Sequence, residues 1–295
     1  MWVADRWKDY TVLDCTDGEK LERFGEYLLV RPDPQVIWST GHDNPNWKKK
    51  NGHYHRSNKG GGEWEFFNLP DEWEIGYDLA IGKRIGFHLK PFAFKHTGVF
   101  PEQAVNWEWF SSIIKERTSA GRPFKVLNLF AYTGGATMAA AAAGAAVTHV
   151  DAAKGMVAWA KENAAGCGLG DAPIRWLVDD CGKFVKREIR RGNRYQGIIM
   201  DPPSYGRGPG GEIWKIEESL WPLVQDAVSL LDDDAAFFLI NSYTTGLQSA
   251  VLSYMMSAAI SEVRGGTVSA SEIGLPLEGS SRILPCGASG RWTAE

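Results

Sequence analysis

The chain has 295 residues, 44% hydrophobic and 23% charged, enough for a sizeable core and ordinary for a soluble globular fold. A net charge of −4 excludes a global basic field, so a nucleic-acid partner would have to be met by local patches. The four cysteines, Cys15, Cys167, Cys181 and Cys286, form no CxxC pair, which argues against a cysteine zinc site or a disulfide framework.

The start, Met1-Trp2-Val3-Ala4-Asp5-Arg6, lacks the apolar stretch of a signal peptide, and the small-apolar run over 139–147 is too short to span a bilayer. A cytoplasmic protein with no membrane partner is expected. From residue 1 to about 92, short apolar runs are broken by turn residues. Residues 27–30 precede Arg31-Pro32-Asp33-Pro34, residues 36–38 precede Ser39-Thr40-Gly41, and further runs lie at 64–67, 79–82 and 85–87. This pattern predicts a small β-rich domain over 1–92, with Asn58-Lys59-Gly60-Gly61-Gly62 as a flexible loop tip.

From about 124 the pattern changes to strand-helix alternation. Strands are expected at 126–130, 146–151, 174–178, 198–201 and 236–241, and helices at 136–143, 153–165, 182–191, 217–231 and 247–260. Two closing strands, 267–273 and 282–285, have no helix between them, so one of them should run antiparallel. Strict alternation predicts a parallel sheet with helices on both faces, over a domain at 93–295.

The first strand runs into Phe130-Ala131-Tyr132-Thr133-Gly134-Gly135, a glycine turn of the kind that lets backbone approach a ligand beyond the strand ends. The second strand ends at Asp151-Ala152, seventeen positions after Gly134, where an acid can accept from ribose hydroxyls. The third ends in Asp179-Asp180-Cys181, where a carboxylate can accept from an adenine amine beside a backbone N–H. Each feature alone also reads as a tight turn or a helix cap. The turn is not GxGxxG, which disfavours a dinucleotide and suits S-adenosylmethionine.

The fourth strand ends in Asp201-Pro202-Pro203-Ser204-Tyr205. Pro203 biases Pro202 to an extended backbone, so that Asp201 and the Pro202 carbonyl can both accept from one amine, with Tyr205 offering a ring face. Residues 206–211 read as a lid, and Arg207 and Lys215 as phosphate contacts or solvated charge. Carbon methylation of a pyrimidine would need a cysteine nucleophile, and Ser204 and Asn241-Ser242-Tyr243-Thr244 supply none. A nitrogen acceptor is therefore expected.

Together with His96-Thr97-Gly98-Val99-Phe100-Pro101-Glu102-Gln103, these segments resemble the class I S-adenosylmethionine-dependent methyltransferases, in the family that includes the bacterial large-subunit rRNA cytosine-5 methyltransferase I. The resemblance covers roughly 93–290 and implies a Rossmann-like α/β sheet of seven strands. It also implies that Phe100 and Gln103 help hold the donor. Ala104 stands where that family has Arg, and Ser242-Tyr243 where it has Cys.

RNA, specifically rRNA, is the expected substrate. Lys48, Lys49, Lys50, Arg56 and Lys59, interleaved with Trp47, Tyr54 and His55, suit single-stranded RNA or a plain solvated loop. The basic residues Lys183 to Arg194 spread around a helix and read as solvated surface. His53 and His55 are not spaced like an established metal site, and no metal is assigned. A protein amide or small molecule as acceptor, and a non-catalytic RNA-binding protein, are the alternatives.

Overall fold

The computed structural model describes residues 1–57, 61–92, 95–208 and 210–294. Asn58, Lys59 and Gly60 of the expected loop tip, and Pro209 of the expected lid, lie outside the described residues. The N-terminal region holds β1 (Trp2–Val3), β2 (Tyr10–Thr16), β3 (Glu19–Phe24), β4 (Tyr27–Pro32), β5 (Gly52–Arg56), β6 (Gly62–Phe66), β7 (Trp73–Leu79) and β8 (Lys83–Leu89). Strands β2 to β6 form one sheet in chain order, and β7–β8 is a separate hairpin. The run at 36–38 is no strand, whereas β2 and β3 were not legible, because charges at Asp14, Glu19, Lys20, Glu22 and Arg23 interrupt their apolar alternation.

Next comes α1 (Ala104–Ser119), also not foreseen. It buries Ala104, Trp107, Phe110 and Ile114 at helical spacing, but its Trp and Phe residues favour strands by propensity. The alternating region then holds β9 (Lys125–Leu129), α2 (Gly135–Ala142), β10 (Ala146–Asp151), α3 (Lys154–Gly166), β11 (Ile174–Val178), α4 (Cys181–Arg191), β12 (Gly197–Met200), β13 (Tyr205–Arg207), β14 (Ile213–Lys215), α5 (Ile216–Val228), β15 (Phe237–Ser242), α6 (Ser249–Met256), β16 (Thr267–Pro276) and β17 (Ile283–Thr293).

The large sheet is ordered β1-β16-β17-β15-β12-β9-β10-β11. The seven expected strands are present, and the two residues of β1 extend the sheet by pairing parallel with β16. Strands β9, β10, β11, β12 and β15 are mutually parallel, and β17 is antiparallel to both β15 and β16. Alternate residues serve opposite faces. Val126, Ile199, Phe237 and Leu239 join a core with α1, α2 and the β7–β8 hairpin. Leu127, Leu129, Ile198, Met200 and Phe238 join another with α4, α5 and α6. No helix among the described residues is long and apolar enough to cross a membrane.

Candidate functional site

Strand order reverses between β9 and β12, since β10 and β11 extend one way and β12 and β15 the other. Ligands of doubly wound sheets bind beyond the carboxyl ends of strands at such a switch point. A cleft of about 440 Å³ opens there, lined by residues that follow β9, β10, α4's cap, β12 and β15. Its volume falls in the roughly 300–1,000 Å³ range of small-molecule sites.

The turn after β9 is held in an unusual backbone. Phe130 and Tyr132 have φ of 56° and 51°, a left-handed conformation that costs energy outside glycine. Gly134 has φ of 88°, and a Cβ there would come within 3.0 Å of the Ala160 methyl. Its glycine is therefore required by both conformation and space. The turn is tied to the next strand end: the Tyr132 N–H donates to Asp151 Oδ2 (2.8 Å) and the Ala153 N–H to Oδ1 (2.9 Å). Burial raises the Asp151 carboxyl and these two N–H donors oppose the shift, with a net rise. Thr133 is anchored at both ends, its hydroxyl on the Gly98 carbonyl (2.6 Å) and its own carbonyl on Asn163 (2.9 Å).

Phe100, Phe130, Tyr132, Asp151, Ala152, Asp180, Cys181, Asp201, Pro202 and Pro203 line the cleft together. Gln103, Ala131 and Thr133 line a smaller cavity beneath it, which shares Phe100, Phe130, Tyr132 and Asp201. Gln103 is fixed by hydrogen bonds to the Tyr243 hydroxyl (2.6 Å) and from Asn106 (2.9 Å). Gly134 lines neither cavity, because it packs inward on Ala160.

Asp179 also does not line the cleft, since its carboxylate pairs with Arg187. Asp180 caps α4 through the Lys183 N–H (2.8 Å) and lines the cleft as well. Tyr205 is 55% exposed and stands outside the lining; it sits on β13, paired with Lys215 of β14. Trp214 takes the aromatic position instead. It donates to the Pro203 carbonyl (2.6 Å) and packs on Phe130 at 4.9 Å between centroids. The hairpin that brings Trp214 over the site is hidden in the sequence, because Gly206, Gly208, Gly210 and Gly211 give it the look of a loop. Of the two expected phosphate contacts, Arg207 lines the cleft and Lys215 pairs with Glu218.

Asp201 is the electrostatic centre. Its Oδ1 is buried and has no hydrogen-bond partner among the described residues. Burial, reinforced by nearby Glu102, pushes this carboxyl up to about 7. Two cysteines approach the region. Cys181 Sγ accepts the Phe130 N–H (3.4 Å), and burial pushes both Cys181 and Cys286 thiols well up, away from the reactive thiolate.

A second cavity of about 300 Å³ adjoins the cleft across His96, Phe100 and Tyr243, of which the sequence pointed only to Phe100 as a site residue. Its wall includes Lys20, Arg31 and Lys95 with Asp33 and Glu102. Thus the N-terminal sheet contributes cations directly beside the sheet-edge site. Lys48 and Lys49 end a short 3-10 turn (Pro45–Lys49) before β5, Arg56 ends β5, and all three are exposed, with none lining the cleft. Trp47 and Tyr54, expected as stacking partners, are buried at 7% and 3% exposure and serve the core. Lys183, Arg187 and Arg191 of α4 pair with Glu212, Asp179 and Glu188.

The arrangement can hold a flat ring between aromatic walls and accept from hydroxyls and amines at three carboxylates, Asp151, Asp180 and Asp201. These are the features an S-adenosyl donor requires.

Comparison with known proteins supplies the context. The S-adenosylmethionine-dependent methyltransferase family matches over residues 49–213, beginning within the N-terminal sheet. The solved SAM-dependent methyltransferase from Agrobacterium tumefaciens superposes with a TM-score of 0.89 at 35% identity, covering 99% of this chain and 93% of that one. Ribosomal RNA large subunit methyltransferase K/L of Shewanella frigidimarina is 29% identical over 158 residues, 53% of this chain and 21% of that protein. Ribosomal RNA large subunit methyltransferase K of Neisseria meningitidis is 33% identical over 142 residues, 48% of this chain and 38% of that protein. The chain therefore spans between about a fifth and two fifths of the length of these curated relatives.

Proposed function

Because the chain belongs to the S-adenosylmethionine-dependent methyltransferase family, we propose that it methylates RNA, specifically rRNA, at a base nitrogen, with Asp201 at the reacting centre. The observation that carries this reading is the Asp201 side chain, which lines a cleft shared with Asp151 and Asp180 and has one carboxylate oxygen, Oδ1, buried without a hydrogen-bond partner among the described residues. S-adenosylmethionine, when bound, supplies a methyl group on a sulfonium, open to attack by a nitrogen lone pair.

The chain's own residues then have separable roles. Asp151, Ala152, Asp180 and Cys181 bind the adenosyl part, with Phe100, Phe130 and Tyr132 as walls. Gln103, Ala131, Thr133 and Gly134 hold the turn that shapes this wall. Asp201 and the Pro202 carbonyl accept hydrogen bonds from the acceptor amine, so that positioning is their main contribution. With its carboxyl near 7, the Asp201 side chain can also take the proton that the nitrogen sheds on alkylation. Pro203 and Trp214 fix the loop, and Trp214 offers the flat face first expected of Tyr205.

Support for RNA comes from the curated relatives, which are named as rRNA enzymes; in the cavity beside the cleft, Arg31 and Lys20 are already paired with Glu22 and Asp33. The exposed Lys48, Lys49 and Arg56 would meet phosphates of the RNA. Nitrogen is favoured over carbon because neither nearby cysteine is poised as a thiolate. A base within a duplex would have to be unstacked to reach Asp201.

The test is incubation of the protein with tritiated donor and either rRNA or protein extract, followed by nucleoside mass spectrometry. Label in an N-methylated nucleoside is expected. Label confined to protein would move the acceptor to a side-chain amide, and a C-methylated base would remove the nitrogen assignment.

A further inference from the structure

Strand β5 carries His53 and His55 two residues apart, so both imidazoles project from one face of the N-terminal sheet. The antiparallel register sets Glu65 of β6 directly opposite His53 and hence on that same face. The rings lie 3.9 Å apart between centroids. One donor atom from each of His53, His55 and Glu65 falls within 4.8 Å of the others. His55 Nε2 is 2.9 Å from Glu65 Oε2, and His53 Nε2 is 2.6 Å from Glu19 Oε1 of β3. Strand pairing thus assembles two imidazoles and two carboxylates from three strands, an arrangement invisible in the spacing along the chain.

We propose that this face binds one first-row divalent cation, Zn2+ foremost, through His53, His55 and Glu65, with Glu19 held against the His53 ring behind them. Mixed imidazole and carboxylate donors suit zinc, whereas magnesium and calcium take oxygen alone. Ligands at about 2.0–2.2 Å from zinc lie about 3–4 Å from one another, so small side-chain rotations close the present set. No residue of the set lines the methyl-transfer cleft, so the role is structural. The metal would cross-link β5 and β6 next to Arg56. Zinc and hydrogen bonding compete for the same nitrogens, and metal uptake would release any proton they carry.

The test is calorimetric titration of the full chain, dialysed against EDTA, with ZnCl2 and separately with MgCl2 at neutral pH. Cobalt absorption in the visible range reports the ligand geometry. Expected are one Zn2+ bound per chain, no Mg2+ uptake, a visible cobalt spectrum, and loss of both signals in His53→Ala. Glu65→Gln, a change at an exposed side chain, should weaken binding while circular dichroism shows the fold intact. Zinc uptake that is absent in the wild type, or equal in the wild type and a His53→Ala/His55→Ala double variant, would overturn the site.

Discussion

Asp201 concentrates the physics of the site in one side chain. Its carboxyl stands near 7 in the fold against an ordinary 3.8, so the folded protein holds this proton more tightly than the unfolded chain. That contribution to stability is complete below the ordinary value and is lost as pH rises through about 7. Asp201→Asn removes the dependence. Calorimetric melting should therefore show the variant more stable than wild type at about pH 8, by on the order of 2 kcal/mol, with the gain fading toward about pH 4. A constant difference across that range would detach the buried charge from the stability. The acid and its prolines were legible, because acid-Pro-Pro after an apolar run leaves few other readings. Glu102 and Tyr243 beside it were not assigned roles, since only the tertiary fold brings them to the strand ends.

At the scale of elements, the turn after β9 couples fold to site. Left-handed Tyr132 aims its backbone N–H at Asp151 and left-handed Phe130 aims its own at Cys181 Sγ, while Gly134 lets α2 start against Ala160. Gly134→Ala meets both a positive φ and a 3.0 Å contact. Thermal or urea unfolding should register a loss of about 1–3 kcal/mol, accompanied by weaker donor binding. An unchanged melting curve would show that the turn relaxes freely. The alternating strands and helices could be read from periodicity because each buries a regular face. By contrast, α1 was missed because Trp107 and Phe110 on its buried face favour strands by propensity, and the β13–β14 hairpin because Gly206, Gly208, Gly210 and Gly211 make its short strands read as a loop. The hidden hairpin is also why the sequence points to Tyr205 and not to Trp214, which lines the cleft.

For the whole molecule, the N-terminal sheet meets the large sheet along one continuous core and lends an ion-paired wall of Lys20, Arg31 and Asp33 to the region beside the cleft. Lys48 and Lys49 before β5, and Arg56 at its end, are exposed. If they meet phosphates, their combined replacement by alanine should flatten the dependence of RNA affinity on salt, by about 0.7 in log–log slope for each phosphate no longer neutralised. Filter binding across a salt series measures this, and an unchanged slope would leave those residues as solvated surface.

The most direct trial of the account is single-turnover methyl transfer at saturating donor, with Asp151→Ala and Asp201→Ala compared with wild type. If the two carboxylates serve donor and acceptor separately, Asp151→Ala should need more donor yet recover most of the rate. Asp201→Ala should bind donor normally and remain slower by about 100-fold or more. Transfer by Asp201→Ala at the wild-type rate, with donor bound, would contradict the assignment.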